Sequence, residues 1–531
     1  MIPAGTNQSQ DRTAFLAELE ARRTGPWSLP RPLYTLASQD GFSQREVDRL
    51  TGELRAIAQT PLFRLRENLV RLVGRTPPRA PTTGEKSLSL DLPTGLEAAI
   101  LRAYIERLEA SVRFEVISAD GGCCDSQWFR SYVVRSSAPG SAERWIVELP
   151  PGFSLTPLAL FYFADAIRRA PHAGLFYGDC LDGSNPPIGY KPDFDPILAA
   201  QWNYLGGVRV SRPGGAVPLG AIHVPFPVEI GTLDVSVGRA SPPRRSGETI
   251  SAIIPTRDHP ELLRRCVESL RKLDSAAIEI VIIDNGSRTP AGVRYLDELA
   301  GLAGVTVVRC DEPFNYSRLN NIGAFHAQGE ILALVNDDVE FTEPDTLSRM
   351  AAYASKPQIG AVGPMLLYPD GRIQHAGQVI GFSGISYSQH VYEGAAPGDV
   401  ALDPKIGCDR QISSVTGAVL AVEKAKYLEV GGLDESLAIT CNDVDLCLKL
   451  RATGRQNVYA GTIRATHVCS QSRGTGLDPR HEVETGILAS RWGADFLDPF
   501  YNPNLGLASE IGRPVPSRLR SPWLGSRPNL E

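Results

Sequence analysis

From residue 250 onward the chain alternates two kinds of segment with little between them. Largely apolar runs occupy residues 250–255, 278–283 and 305–308, and an unbroken one occupies 331–335. Apolar residues at helical spacing fill 261–273, 296–302 and 317–327. A run without polar alternation reads as a strand buried on both faces. Strands and helices joined by short connections specify parallel βαβ units, hence an open α/β sheet. Such sheets bind ligands at the carboxyl ends of their strands. Three polar loops open there, at Pro255, at Asp284 with Asn285, and at Asn336-Asp337-Asp338. Adjacent acids are costly to hold together without a positive partner. A divalent cation carrying a diphosphate is one such partner, and carboxylate oxygens suit Mg2+ or Mn2+. A plain polar turn is the alternative reading of the same residues.

With 531 residues the chain has room for several domains, each with its own core. Hydrophobic and charged contents of 42% and 21% are those of a soluble globular enzyme. A net charge of −6 leaves no basic footprint for nucleic acid. The basic clusters at 64–75, Arg244-Arg245 and 518–520 are short and read as solvated surface. The nine cysteines are odd in number and scattered, and neither Cys123-Cys124 nor Cys441 with Cys447 has zinc-ligand spacing. Reduced thiols in a cytoplasmic compartment are expected. No basic-then-apolar leader opens the sequence, and no apolar run approaches the roughly 20 residues that span a bilayer. Membrane contact is therefore expected to be peripheral. Composition divides the chain into a helical N-terminal segment (1–84), a mixed α/β unit (85–225), a Pro/Gly/Arg-rich linker (226–247), the alternating unit (248–505) and an extended tail (506–531).

Two polar islands follow the acids. Gly431-Gly432-Leu433-Asp434-Glu435 is a turn leading to Asn442-Asp443-Val444-Asp445-Leu446-Cys447, a helix start with Asp443 where the dipole favours an anion. A capping acid and a functional one look alike at this point. His467 follows a strand-like stretch at 457–464, and a lone histidine is as readily structural as a ligand. Asp284-Asn285 on its own is equally an Asx turn.

Taken in order, these segments resemble a glycosyltransferase family 2 catalytic domain of the GT-A fold. The likeness rests on Ile253-Ile254-Pro255-Thr256-Arg257-Asp258, Val281-Ile282-Ile283-Asp284-Asn285-Gly286-Ser287 and Asn315-Tyr316-Ser317-Arg318-Leu319-Asn320-Asn321. It continues through Asn336-Asp337-Asp338, Tyr368-Pro369-Asp370-Gly371-Arg372-Ile373-Gln374-His375-Ala376-Gly377, Val415-Thr416-Gly417-Ala418, Asn442-Asp443-Val444-Asp445 and Tyr501-Asn502-Pro503-Asn504-Leu505. The ordered set is most similar to bacterial surface-polysaccharide and rhamnosyltransferase-like members. The resemblance implies an inverting, metal-dependent transfer of a sugar from a UDP- or dTDP-sugar to a hydroxyl of a growing, lipid-linked glycan at the inner face of the cell membrane. It assigns Pro255, Thr256, Arg257, Asp284, Asn285, Asn321 and Asp337 to the donor pocket. Asp338 and His467 fall to a divalent metal (Mg2+ or Mn2+), and Asp443 to the general base. Asn336 replaces the first acid of the family's Asp-x-Asp motif, which moves the expected metal contact to Asp338.

The first half carries a weaker likeness. Arg144-Trp145-Ile146-Val147-Glu148-Leu149 resembles the strand before the acids, but Pro150-Pro151-Gly152 follows and offers no ligand. Leu175-Phe176-Tyr177-Gly178-Asp179 and Tyr190-Lys191-Pro192-Asp193-Phe194-Asp195-Pro196 continue it. A degenerate, non-catalytic GT-A-like domain is expected, with Asp179 and Asp182 outside any metal site. Three other readings compete. A nucleotidyltransferase would show a Gly-rich phosphate loop after its first strand, a nicotinamide dehydrogenase a Gly-x-Gly-x-x-Gly, and neither is present. A non-catalytic scaffold or acceptor-binding protein would have no use for Asp337, Asp338, Asp443 and His467 together.

Overall fold

The computed structural model describes residues 112–118, 144–156, 159–181, 189–212, 221–234, 236–238, 247–274, 278–381, 387–399, 403–468, 480–493, 498–502 and 505. The helical segment 1–84, Cys123-Cys124, Asp182 and the tail 506–531 lie outside these residues.

Two sheets organise what is described. The first holds β1 (Arg113–Ser118), β2 (Arg144–Leu149), β3 (Ser154–Leu155), β4 (Leu175–Leu181), β5 (Arg209–Ser211) and β6 (Ala221–Ile230), with helix α1 (Ala159–Arg169) between β3 and β4 and α2 (Pro196–Ala199) between β4 and β5. β6 runs through residue 226, where the linker was expected to begin, so the chain leaves this sheet only after Ile230.

The second sheet starts with β7 (Ile250–Thr256), β8 (Ile278–Asp284), β9 (Val305–Arg309) and β10 (Ile331–Val335). Between them lie α3 (Pro260–Leu270), α4 (Pro290–Ala300) and α5 (Tyr316–His326). It continues with β11 (Val339–Glu340), α6 (Thr346–Ala354), β12 (Ile359–Leu367), β13 (Ile373–His375), β14 (Gln378–Ile380), β15 (Ser388–His390), β16 (Asp409–Ile412), β17 (Val419–Glu423), α7 (Lys424–Glu429), α8 (Asn442–Ala452), β18 (Gln456–His467) and α9 (Arg480–Trp492). β14 and β15 form a separate hairpin; the others lie in one sheet of main order β11-β18-β12-β17-β10-β7-β8-β9.

The β10-β7-β8-β9 half is parallel, as the alternation predicts, and β17 continues the sheet antiparallel to β10. Alternate residues of these strands feed opposite cores. Ala252, Ile254, Ala333 and Val335 join α3, α4 and α6 on one face; Ile253, Leu332 and Leu334 join α5 and α8 on the other. That double burial explains why the strands read as largely apolar runs, unbroken in β10. The helices start on local signals: Asn315 accepts from Arg318 N at 3.0 Å, and Thr289 accepts from Gly292 N with Pro290 in the first turn.

The two sheets share a plan. Read from one edge, β3-β6-β4-β5-β2-β1 matches β11-β18-β12-β17-β10-β7 in order, in chain sequence and in every parallel or antiparallel pairing. Among the described residues nothing stands beyond β1, where β8 and β9 stand beyond β7. The units meet along β16. The Gln201 amide donates to Asp409 O and accepts from Asp409 N, both at 2.9 Å, and Asp195 Oδ2 accepts from Gln411 N at 2.7 Å. A second tie is Asn502, whose amide donates to both Asp179 oxygens at 2.8 and 3.0 Å.

Candidate active site

The spatial order β9-β8-β7-β10 reverses the chain's direction of travel between β7 and β10, and open sheets form their ligand crevice at such a point. Thr256, the last residue of β7, bridges the two strand ends by donating from Oγ1 to Asp337 Oδ2 at 2.7 Å. His259 Nδ1 lies 3.6 Å from the same oxygen, and the Asp337 carboxylate raises its pKa against the opposing effect of burial. Beside them Asp284, at the end of β8, accepts from Ser287 N at 2.8 Å and pairs with Arg309 at 3.1 Å. Asn285 donates from its backbone to Thr256 O and from its amide to Cys310 O and Glu312 O, at 2.8 to 3.0 Å. Its Oδ1 is buried with no hydrogen-bond partner. Pro255 is buried beneath this wall, and Arg257 is exposed at its rim.

The second acid faces the other way. β11 pairs antiparallel with the end of β18, Val339 opposite His467, which sets the imidazole beside Asp338. His467 Nε2 is 3.0 Å from Asp338 Oδ1, and Nδ1 is 2.9 Å from Gln374 Oε1. Among the described residues no three His, Cys, Asp or Glu side chains converge as a metal set. An oxygen and a ring nitrogen this close still suit two neighbouring positions around a divalent cation. Mg2+ in particular takes one or two carboxylates and leaves the rest to waters and substrate phosphates. Asp338 and His467 therefore fit the group, with the remaining positions open to a ligand.

Asp443 is held on the far side of the segment Thr416-Gly417-Ala418. Asn336 N donates to Ala418 O at 3.0 Å, and Gly417 N donates to Asp443 Oδ2 at 2.8 Å, so two residues, Gly417 and Ala418, separate the acid loop from the carboxylate. Tyr316 fixes the segment by donating to Gly417 O at 2.6 Å. Asp443 sits half-buried in the first turn of α8, its Oδ1 accepting from Val444 N at 2.8 Å. Cys441 before it has φ 61°, a left-handed kink that turns the chain into the helix. From α9, Glu484 accepts from the N–H groups of Ala438, Ile439 and Thr440 at 2.8 to 3.1 Å, and Arg491 spans Asp434 and Asp445 at 2.6 Å each.

Asn321 is a correction. It was expected in the donor pocket, yet it is 1% exposed and every hydrogen-bonding position is used inside the protein. Its amide donates to Leu433 O and Glu435 Oε1, and its oxygen accepts from Tyr427 OH and Leu433 N. It ties α5 to the 431–435 turn and has no capacity left for a ligand. Sequence reasoning assigned no part to Gln374 and Glu484. Their partners lie 93 and 44 to 46 residues away, and no local pattern announces that.

Residues 251–393 match the family model described as glycosyl transferase family 2, a range that stops short of Asp443 and His467. An uncharacterized protein, y4gI, of Sinorhizobium fredii is 42% identical over 291 residues, 53% of this chain and 32% of that one. The O-antigen biosynthesis protein RfbC of Myxococcus xanthus is 33% identical over 270 residues, 50% of this chain and 21% of its own length. An N-acetylglucosaminyl-diphospho-decaprenol L-rhamnosyltransferase of Mycobacterium tuberculosis is 26% identical over 236 residues, 41% of this chain and 74% of that one. The chain thus spans about a third or less of the first two relatives. No helix among the described residues is long and apolar enough to cross a membrane. The crevice, the acids Asp337 and Asp338, and the residues that match glycosyl transferase family 2 all fall on the same sheet.

Proposed function

We propose that residues 248–505 transfer a sugar, with inversion, from a nucleoside-diphosphate donor to a hydroxyl of a growing surface glycan. The observation that carries this reading is the bridge through Gly417 and Ala418, which sets Asp443 opposite Asn336-Asp337-Asp338 across one narrow segment. Donor-side groups and a base on opposite sides of the reacting carbon are what an in-line displacement needs.

Pro255, Thr256, Arg257, Asp284, Asn285 and Asp337 bind the nucleoside. The buried, unpartnered Oδ1 of Asn285 supports this, because an orphaned acceptor costs about 1–3 kcal/mol until a donor reaches it. Asp338 and His467 hold a divalent cation, Mg2+ or Mn2+, which when bound neutralises charge on the departing diphosphate. Asp443 takes the proton of the acceptor hydroxyl, a role worth about 10²–10⁴ in rate. Gly417 N and Val444 N aim its two oxygens. UDP- and dTDP-sugars are the proposed donors. A lipid-linked acceptor at the cytoplasmic face of the membrane accords with the relatives' names, O-antigen biosynthesis protein and diphospho-decaprenol rhamnosyltransferase. The 112–230 unit serves as a non-catalytic companion.

Nucleotide release from a panel of UDP-, dTDP- and GDP-sugars, with Mn2+ or Mg2+, tests the reading. Metal-dependent release that disappears in Asp338→Ala and in Asp443→Ala supports it. Failure to bind any nucleotide, with or without metal, would replace it with the scaffold reading.

A further inference from the structure

We propose that Gln374 is a positioning residue of the cation site: its side-chain carbonyl fixes the tautomer and orientation of His467, so that Nε2 presents a lone pair beside Asp338. The inference rests on the metal-dependent reading above and adds to it a residue outside the pocket.

The hydrogen-bond geometry carries it. Gln374 Oε1 accepts from His467 Nδ1 at 2.9 Å, with the two residues 8% and 7% exposed, so water does not compete for the contact. An imidazole whose proton sits on Nδ1 has its lone pair on Nε2. Nε2 faces Asp338 Oδ1 at 3.0 Å and the Asn336 amide nitrogen at 3.4 Å. A carboxylate oxygen and a ring lone pair turned towards each other repel unless a positive centre lies between them. Partners that orient a metal-binding histidine from its other nitrogen typically change metal affinity about 10–100-fold when removed.

Placement makes the contact deliberate. Gln374 lies in β13, a three-residue strand set against the end of β12 by the tight turn Tyr368-Pro369-Asp370-Gly371, whose Gly371 has φ 83°. Strand alternation sends Gln374 to one face and His375 to the other. Gln374 reaches His467, and His375 meets His390 at 3.1 Å.

The first sheet supplies an internal control. His467 and Ile230 are each the last residue of their strand, and each pairs with the first residue of the short strand beside it. Asp338 and Phe153 each precede that short strand. Where the second sheet has an acid and an imidazole, the first has a phenyl ring and an isoleucine.

The test is Mn2+ binding by the full chain in the presence of UDP, read from the electron paramagnetic resonance signal of free Mn2+. Nitrogen NMR of the imidazoles in metal-free protein and a melting curve accompany it. Gln374→Met is expected to weaken Mn2+ binding about 10–100-fold and to release His467 into a mixture of tautomers, at nearly unchanged melting temperature. Gln374→Glu keeps the acceptor and is expected to restore both readouts. Wild-type affinity and a single tautomer in Gln374→Met would overturn the proposal, as would Gln374→Glu behaving like Gln374→Met. A wild-type chain that binds no Mn2+, with or without UDP, would instead overturn the metal-dependent reading. The metal-free tautomer of His467 would still report on Gln374 in that case.

Discussion

The two sheets of this chain run the same six strands in the same order, and they part company at two strand ends. In the second sheet β10 ends in Asn336-Asp337-Asp338 and β18 in His467; in the first, β2 ends in Pro150-Pro151-Gly152 and β6 in Ile230. Phe153, following the prolines, packs its ring over Gly231, leaving no room there even for a Cβ. Every group that could attract a cation has been exchanged for one that cannot. The polar residues of the first sheet are used elsewhere, inside its core. Asp179 accepts from Lys191 N, His223 and Asn502, and Lys191 pairs with Glu229 at 2.7 Å, all out of reach of solvent. One strand plan thus carries its carboxylates at the crevice in the second sheet and paired with buried donors in the first.

The contrast can be broken most severely in the second sheet. Asp443→Ala is expected to lower turnover by about 10²–10⁴ while Mn2+ binding persists, measured by nucleotide release and by metal titration on the same samples. In the first sheet the corresponding loss should appear in stability. Asp179→Ala strips one acceptor from three buried partners, Lys191 N, His223 and Asn502, and is expected to cost about 3–5 kcal/mol in a denaturant melt, because each keeps fewer acceptors in a site closed to water. A smaller effect follows from His223. Burial lowers its pKa, but the Asp179 and Asp193 carboxylates outweigh burial and hold it at about 9. A pKa raised on folding gives stability that is complete below the unfolded value, near 6.5, and fades as pH rises through about 9. The melting temperature should therefore fall between pH 6.5 and 9.5, and this slope should flatten in His223→Phe. Least of all is expected from restoring ligands to the first sheet. The double change Phe153→Asp with Ile230→His should leave nucleotide release within about twofold and Mn2+ stoichiometry at one, since among the described residues no strand stands beyond β1 as β8 stands beyond β7. A second bound Mn2+ would show that the first sheet is closer to a working site than its residues suggest.

The second sheet was legible where burial on both faces writes itself as an apolar run. Residues 331–335 emerge as β10 with the boundaries the sequence suggests, and the strands at 250 and 278 differ only by one further residue, Thr256 and Asp284. The helix read at 296–302 in fact begins at Pro290. Its start is announced by Thr289-Pro290 and not by periodicity, because its first turn is largely exposed. Asp443 could be placed at a helix start, but not opposite Asp337-Asp338, because that relation passes through the backbone of Gly417 and Ala418. Asn321 misled for the opposite reason. A polar side chain in a family motif looks the same in sequence whether it meets a ligand or, as here, Tyr427 and Leu433. The likeness of the two halves was read at residues 144–149 and 175–179, but not the full strand order: strands of two and three residues, such as β3 and β5, carry too few positions to show a period.

The Asn502 amide lies 323 residues downstream of the Asp179 carboxylate it satisfies. On a ribosome adding about 5–20 residues per second, the first unit emerges roughly 16–65 s before the residue that closes it. Through that interval Asp179 must rely on water and on its neighbours in the first sheet, with its seam open to solvent. Completion of the early unit is thus timed by the synthesis of the late one. A nascent chain halted before residue 502 would carry an unsealed first unit, recognisable to the machinery that sorts unfinished proteins.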